Sequence, residues 1–468
     1  MSSKIYNPIQ PAVTKGLAQA KRLGFPIVLS YTFEFEVSDL LPLITHSADK
    51  NKTRIYWEQP KDNIAVAGIG TVWYRDINKD NTFVDIQKSI SLILNNSISF
   101  PNKYSNSLKV FGGHSFNLNE EKKGVWGNFP QGRFSISECL IVKNETNTLI
   151  TISRTLHPSN VETKVLQEFQ KTCEHYKNRL PVTLKPIQKT RVEKSKNIPG
   201  KNTYLSSVNL VLEKLNPSDI EKVVISRVRH LNIYGDFKDV SALQVLRENY
   251  PNCTTFMFSY PKSGTFLGST PEHLITLKDG LFSTEALAGT IARGRNMEED
   301  RLHAESLFNS HKEREEHRFV VDQIVNKLRS FSNNVNFGDK PVVFKLNNVQ
   351  HLKTPISGSL KNGSTVLDMI LSLHPTPAIA GTPTKQATEV IAKIETHNRG
   401  WYSGPVGWID KNGDGEFCVA LRSAFAKDNK VYVFAGSGIV SESLPEKEWE
   451  ETELKFQPIV SALSGGQS

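Results

Sequence analysis

Cysteine is scarce and scattered in this chain of 468 residues. Its four copies, Cys139, Cys173, Cys253 and Cys418, stand far apart and form no CxxC pair. Zinc knots and disulfide scaffolds need closer, patterned thiols, so free cysteines in a reducing compartment are expected. Long apolar runs are missing too. The N-terminal MSSKIYNPIQPAVTKGL has no apolar core behind its lysine, and no stretch reaches the ~18 apolar residues of a membrane span. A cytoplasmic protein without a membrane partner is expected. Dense basic runs interleaved with aromatics are also absent. The formal charge of +9, from 57 basic and 48 acidic side chains, is spread along the chain; that argues for a lysine-rich solvated surface and against a nucleic-acid groove.

What is present is ordinary globular composition, 38% hydrophobic and 22% charged, on a chain long enough for one large or two medium domains. Runs of β-branched and aromatic residues predict strands over 27–35, 54–60 and 64–74. Amphipathic spacing predicts a helix over 86–96 and another over 160–179, with a hairpin over 138–153 around Asn144 and Glu145. FGGHSFN at 111–117 reads as a glycine turn between strands. Prolines and charges over 180–200 predict an exposed connection, dividing the chain into an N-terminal half, 1–200, and a second part, 201–462. That part opens with a helix over 204–214 and the strand EKVVISRVRHL, and carries a long helical segment over 298–329 and a terminal helix over 444–460. Irregular strand spacing and clustered helices argue against a βαβ repeat and for a mixed, largely antiparallel α+β architecture.

Three motifs mislead. GSGIVS at 436–441 imitates a dinucleotide fingerprint, but Ser441 replaces the third glycine and no further βαβ unit follows. GTIARG at 289–294 lacks the lysine ending of a phosphate loop. DKNGDGE at 410–416 starts like a calcium loop, yet its twelfth position is Leu421, which has no carboxylate; a tight hairpin turn is expected there.

Acidic residues replace apolar ones on two helices. In HKEREEHRFVVDQIVNKL the stripe Val320, Val321, Ile324, Val325 and Leu328 extends backwards through Glu313, Glu316 and His317 at spacings of three and four. A charged helix end in solvent explains this pattern; so does a hard-cation site, because a carboxylate beside a core needs a charge partner. On the terminal helix, Ser443 and Glu446 have capping-box spacing, and Glu448, Glu451 and Lys455 share a face. A surface ion-pair ladder and a pair of Mg²⁺ ligands both remain open.

Lys222 precedes the apolar run VVIS; such lysines usually face solvent, but an enclosed one has a lowered pKa and can act as a base. Glu272, in GSTPEHL, has the complementary possibility of a raised pKa and a proton to donate. Arg422 and Arg293 are candidate clamps for an anionic ligand. Glycines 404, 407, 436 and 438 either serve turns or admit a ligand close to backbone N–H groups.

The blocks EKVVISR, GSTPEHL, TEALAGTIARG, KEREEHRFVVDQI, QHLKTPISG, LHPTPAIAGTP, NRGWYSGPVGW, GDGEFCVALRSA and GSGIVSESLPEKEWEETELK, spread over 204–462, resemble the chorismate-utilising enzymes, most closely their isochorismate-forming branch. The resemblance implies a fold of large, mostly antiparallel sheets packed face to face with helices outside, the N-terminal half packing around the catalytic half. It implies Lys222 as the base that activates water and Glu272 as the acid that assists departure of a ring hydroxyl. It also implies Mg²⁺ on Glu316 and Glu448, with Glu313 and Glu451 supporting, and a substrate pocket of Arg422, Tyr402, Gly436 and Ser437, with Thr290, His351 and His374 nearby. Ammonia-adding relatives typically carry glutamine at the Lys222 position, and aminodeoxychorismate-forming ones a lysine nucleophile at the position of Ala288. Chorismate without a glutaminase subunit is therefore the expectation, on a monomer, and the length of the N-terminal half resembles the quinone-pathway enzymes. Salicylate-forming and siderophore-pathway relatives, and a catalytically silent chorismate-binding partner protein, are the alternatives. Ser437 departs from the common Gly-Ala-Gly pattern.

Overall fold

The computed structural model describes residues 3–45, 51–78, 80–121, 124–178, 184–216, 219–345 and 349–465. Two large sheets organise them. The first has 13 strands and runs from the edge strand Arg191–Ile198 through Lys222–Tyr234, Lys430–Ile439, Ser423–Lys427, Gly264–Thr270, Thr254–Tyr260, Arg54–Gln59, Ile64–Ile69, Cys139–Lys143, Thr148–Leu156 and Ile27–Glu34 to Ile98–Phe100. Gly381–Thr382 pairs beside Lys222. The second, of 10 strands, runs from Ser332–Phe337 through Val349–Leu360, Leu281–Ala292, His273–Lys278, Gly415–Val419, Pro405–Asp410, Lys109–His114 and Gly132–Ile136 to Trp73–Ile77, with Val342–Lys345 pairing beside Val349–Leu360. Pairing among the described strands is antiparallel except between Ile27–Glu34 and Ile98–Phe100. The architecture is thus mixed α+β with large antiparallel sheets.

Both sheets draw strands from both halves of the chain. Arg54–Gln59 lies between Thr254–Tyr260 and Ile64–Ile69, and Lys109–His114 lies between Pro405–Asp410 and Gly132–Ile136. The sheets meet through an aromatic layer in which Trp57, Phe256 and Phe425 of the first pack with Phe111 and Val406 of the second. Trp126 stacks on Phe425 at 4.5 Å. Helices cover the other surfaces: Ala242, Leu246, Phe456 and Ile459 bury against Leu231, Met257 and Val433. Val321, Val325, Leu367 and Ile370 pack with Leu274, Phe282 and Ile356 of the second sheet. Burial of such side chains at roughly 25 cal/mol per Å² is what holds helices onto sheets.

Five local expectations change. FGGH belongs to a strand: a Cβ on Gly112 would meet the Arg133 carbonyl at 2.2 Å, and one on Gly113 the Pro405 carbonyl at 2.5 Å, so these glycines serve close strand approach rather than a turn. The segment 64–74 splits at Gly70, whose φ of 71° lets the chain leave the first sheet for the second. Part of 180–200 is the edge strand Arg191–Ile198, whose exposed Lys194 and Lys196 protect it from strand addition. The helical segment 298–329 breaks into Met297–Asn309 and His311–Leu328, because Ser310 is extended and its side chain accepts the Glu313 N–H. The terminal helix, Pro445–Leu463, has Leu444 at its N-cap; Ser443 instead accepts the Val440 N–H at 3.1 Å, and Glu446 pairs with Lys201 at 2.8 Å. The segment 410–416 is the turn of a hairpin, with Asp410 Oδ1 accepting the N–H groups of Asn412 and Asp414.

Candidate active site

Strand pairing places Lys222. It opens the strand Lys222–Tyr234, where Val224 pairs with Gly438 and Ile225 with Ser437. A Cβ on Gly438 would stand 2.7 Å from Lys222 Cε, so the missing side chain at 438 is the path along which the lysine crosses the neighbouring strand. Its Nζ reaches Glu316 Oε1 at 3.4 Å, with the two side chains 24% and 37% exposed. The helix His311–Leu328 therefore does not hold Glu316 in bulk solvent away from the sheet. It turns the carboxylate onto the Lys222 amine.

Glu272 sits at the crossover from Gly264–Thr270 in the first sheet to His273–Lys278 in the second. Its carbonyl accepts the Val419 N–H at 3.0 Å, and its Oε1 accepts the Thr376 hydroxyl at 3.1 Å. Burial pushes its pKa up to about 7, against the Thr376 hydrogen bond and the positive charges of Arg422 and Lys222. The carboxyl thus keeps its proton near neutrality while lying within the field of both cations.

Arg422 is the hub of the positive charge. It adopts φ 45°, and its charge acts on Glu272, His351, Tyr402 and Lys455. Tyr402 stacks on Phe434 at 5.3 Å, and its hydroxyl would be 3.2 Å from a Cβ on Gly436. Burial raises its phenol to about 12, so it is a neutral donor. Lys455 Nζ donates to the Gly436 carbonyl at 2.9 Å and pairs with Glu451. Across the cluster, Thr290 Oγ1 and His351 Nδ1 are 3.0 Å apart. A bulge between Ala288 and Thr290 aligns them. Gly289, at φ 72°, leaves room for Glu313, whose Oε2 would lie 3.0 Å from a Cβ there. Burial lowers His351 to about 4, so its ring is neutral.

Glu448 is buried on the first turn of the terminal helix. Burial raises its pKa, although the hydroxyls of Ser443 and Ser437 lie within hydrogen-bonding reach of the carboxyl. Its Oε2 has no hydrogen-bond partner among the described residues. A buried carboxylate oxygen without a partner is costly, and it is what a hard cation would relieve. No group of three or more His, Cys, Asp or Glu side chains converges as a metal cage among the described residues.

Two candidates stand apart. His374 packs edge-on against His114 at 5.4 Å, and its Nε2 lies 3.0 Å from the Ser403 carbonyl. It braces the turn that carries Tyr402. Arg293 forks onto Asp300 through Nε at 2.6 Å and Nη2 at 3.1 Å and forms no part of the cluster. The sequence reading missed Thr376, although it lies inside LHPTPAIAGTP. It also missed a buried brace: Arg399 pairs with Glu395 at 2.6 Å and donates to the Val224 carbonyl, while Glu395 accepts from the N–H of Ser226. Position i, i+4 was the available signal, but Glu395 ends its helix, so no helical face advertised the pair.

A profile of the family described as "Chorismate binding enzyme" matches residues 15–464. The chain is 30% identical over 474 residues to the isochorismate synthase MenF of Bacillus subtilis, with 99% of each covered. It is 28% identical over 463 residues to the salicylate biosynthesis isochorismate synthase of Pseudomonas aeruginosa, covering 99% of this chain and 95% of that one. Its fold superposes on the menaquinone-specific isochorismate synthase MenF from Escherichia coli with a TM-score of 0.79 at 24% identity, over 96% of this chain and 100% of the other. Anthranilate synthase component I from Streptococcus pneumoniae gives 0.71 at 20% identity, over 85% and 92%.

Proposed function

The chain belongs to the chorismate-binding enzyme family, and from this premise we propose that it is an isochorismate synthase acting on chorismate with Mg²⁺. The observation that carries the reading is the juxtaposition of Lys222 and Glu272. One is an amine 3.4 Å from Glu316, the other a carboxyl that burial raises to a pKa of about 7 and that lies close enough to feel the Lys222 side chain. A base and an acid in unlike environments are what addition of water at one ring position and loss of hydroxyl from another require.

Arg422 and the Tyr402 hydroxyl hold one substrate carboxylate, the guanidinium supplying two parallel donors. Glu316 and Glu448 hold Mg²⁺, with Glu313 and Glu451 supporting through water. When bound, the ion neutralises the ring carboxylate and fixes its position. Lys222, as the base, takes a proton from water as its oxygen bonds to C2. The ring double bonds shift, the C4–O bond breaks, and Glu272 gives its proton to the departing hydroxyl, which leaves as water. Orientation and preset charges supply the rate, without a covalent enzyme intermediate. Thr290, His351 and the Gly436–Ser437 backbone line the pocket, and His374 supports it from behind.

Full-length similarity to MenF supports a place in quinone biosynthesis, menaquinone or phylloquinone, and the proposal places the chain in the cytoplasm, as a monomer that needs no glutaminase subunit. Similarity to the salicylate biosynthesis enzyme keeps the siderophore branch as a second reading. No helix of the described residues is long and apolar enough to cross a membrane. The decisive assay is incubation of the purified chain with chorismate and Mg²⁺, without ammonia or any partner, followed by product separation. Isochorismate alone is expected. Salicylate with pyruvate would replace the assignment with salicylate synthase, and unchanged chorismate would leave a binding protein.

A further inference from the structure

The buried carboxyl of Glu448 is approached from behind by two hydroxyls in series. Tyr204, on the helix Lys201–Leu212, places its Oη 2.8 Å from Ser437 Oγ, and both side chains are buried. Ser437 in turn reaches the Glu448 carboxyl. Either hydroxyl of the Tyr204–Ser437 pair can donate; with the Glu448 carboxyl ionised, as a cation ligand must be, Ser437 donates to it and accepts from Tyr204. In that state the chain runs from tyrosine to serine to glutamate.

The surroundings hold this chain still. The Tyr204 ring meets Trp449, the residue after Glu448, edge-on at 5.7 Å. The Arg227 guanidinium lies 3.5 Å over the Trp449 ring and 5.7 Å from that of Tyr204. Arg227 is itself tied by Nε to Thr452 at 2.7 Å and by Nη2 to Glu453 at 2.5 Å. Ser437 is fixed by strand pairing with Ile225. Both hydroxyls are buried, and the proton transfers proposed above assign neither of them a step.

We propose that Tyr204 and Ser437 are positioning residues: a hydroxyl relay that orients the Glu448 carboxylate and leaves its free oxygen, Oε2, turned toward a divalent cation. The proposal rests on Glu448 being a Mg²⁺ ligand. Partners of metal-bound side chains orient the ligand and tune its donor strength, and their removal typically costs about 10- to 100-fold in metal affinity.

The test is calorimetric titration of the chorismate-free full chain with Mg²⁺ alone, comparing wild type with Ser437→Ala, Tyr204→Phe, the double variant and Glu448→Gln. Thermal unfolding establishes that each is folded. Ser437→Ala should weaken Mg²⁺ about 10-fold. Tyr204→Phe should weaken it by a smaller factor, and the double variant should match Ser437→Ala, because tyrosine acts only through serine. Additive losses would overturn the relay. So would wild-type affinity in Tyr204→Phe and Ser437→Ala alongside lost affinity in Glu448→Gln, which would leave Glu448 as a ligand. Wild-type affinity in all variants, Glu448→Gln included, would overturn the ligand assignment and the relay together.

Discussion

Replacing Glu272 by glutamine should stabilise the protein while disabling it, and the gain should depend on pH. The folded carboxyl titrates at about 7, against an ordinary value of 4.5, so the native state holds its proton more tightly than the unfolded chain. Between these values the folded state binds more protons, and stability falls as pH rises. One pKa unit corresponds to about 1.4 kcal/mol, so wild type loses up to about 3 kcal/mol across this window. Glutamine keeps an oxygen for the Thr376 hydroxyl and cannot ionise. Urea unfolding at pH 4, 5, 6, 7 and 8 should therefore show near-equal stability at pH 4, a growing advantage for Glu272→Gln up to pH 7, and a plateau above. Turnover should fall by roughly 10²- to 10⁴-fold, the usual contribution of a general acid. A stability difference independent of pH would refute the buried, proton-retaining carboxyl; unaffected isochorismate formation would remove it from the acid role.

Lys222→Ala should lower kcat by roughly 10²- to 10⁴-fold with chorismate binding retained; near-normal turnover would end its assignment as the base. Glu316→Gln should shift the Mg²⁺ dependence of the rate to higher concentration, and an unchanged titration curve would refute it as a ligand. Arg399→Met strands Glu395, which is 5% exposed as a side chain, as a buried charge without its guanidinium. A loss of about 3–5 kcal/mol in denaturant unfolding is expected, and a loss below about 1 kcal/mol would show that water has replaced the partner.

The strands over 27–35 and 54–60 and the helix over 160–179 were legible because local pattern and tertiary role agree there. FGGH was misread because its glycines answer to backbones from Arg133 and Pro405, contacts that no local window contains. The acids on His311–Leu328 could be seen breaking an apolar stripe, but only the structure brings Glu316 to Lys222, from a strand far earlier in the chain. Arg293 and Arg422 looked equivalent as motifs. Asp300 occupies the first, whereas the second sits among Glu272, Tyr402 and Lys455. Likewise Ser437 was visible as a departure from a pattern, yet its meaning depended on Tyr204, which no spacing links to it.

Interleaved sheets set a schedule for synthesis. Arg54–Gln59 needs Thr254–Tyr260 as its neighbour, and Lys109–His114 needs Pro405–Asp410. On a ribosome adding ~5–20 residues per second, the earlier strand of each pair waits tens of seconds with an open edge. The nascent chain must be shielded over that interval, and the aromatic layer between the sheets can close only after the last of these strands has left the exit tunnel.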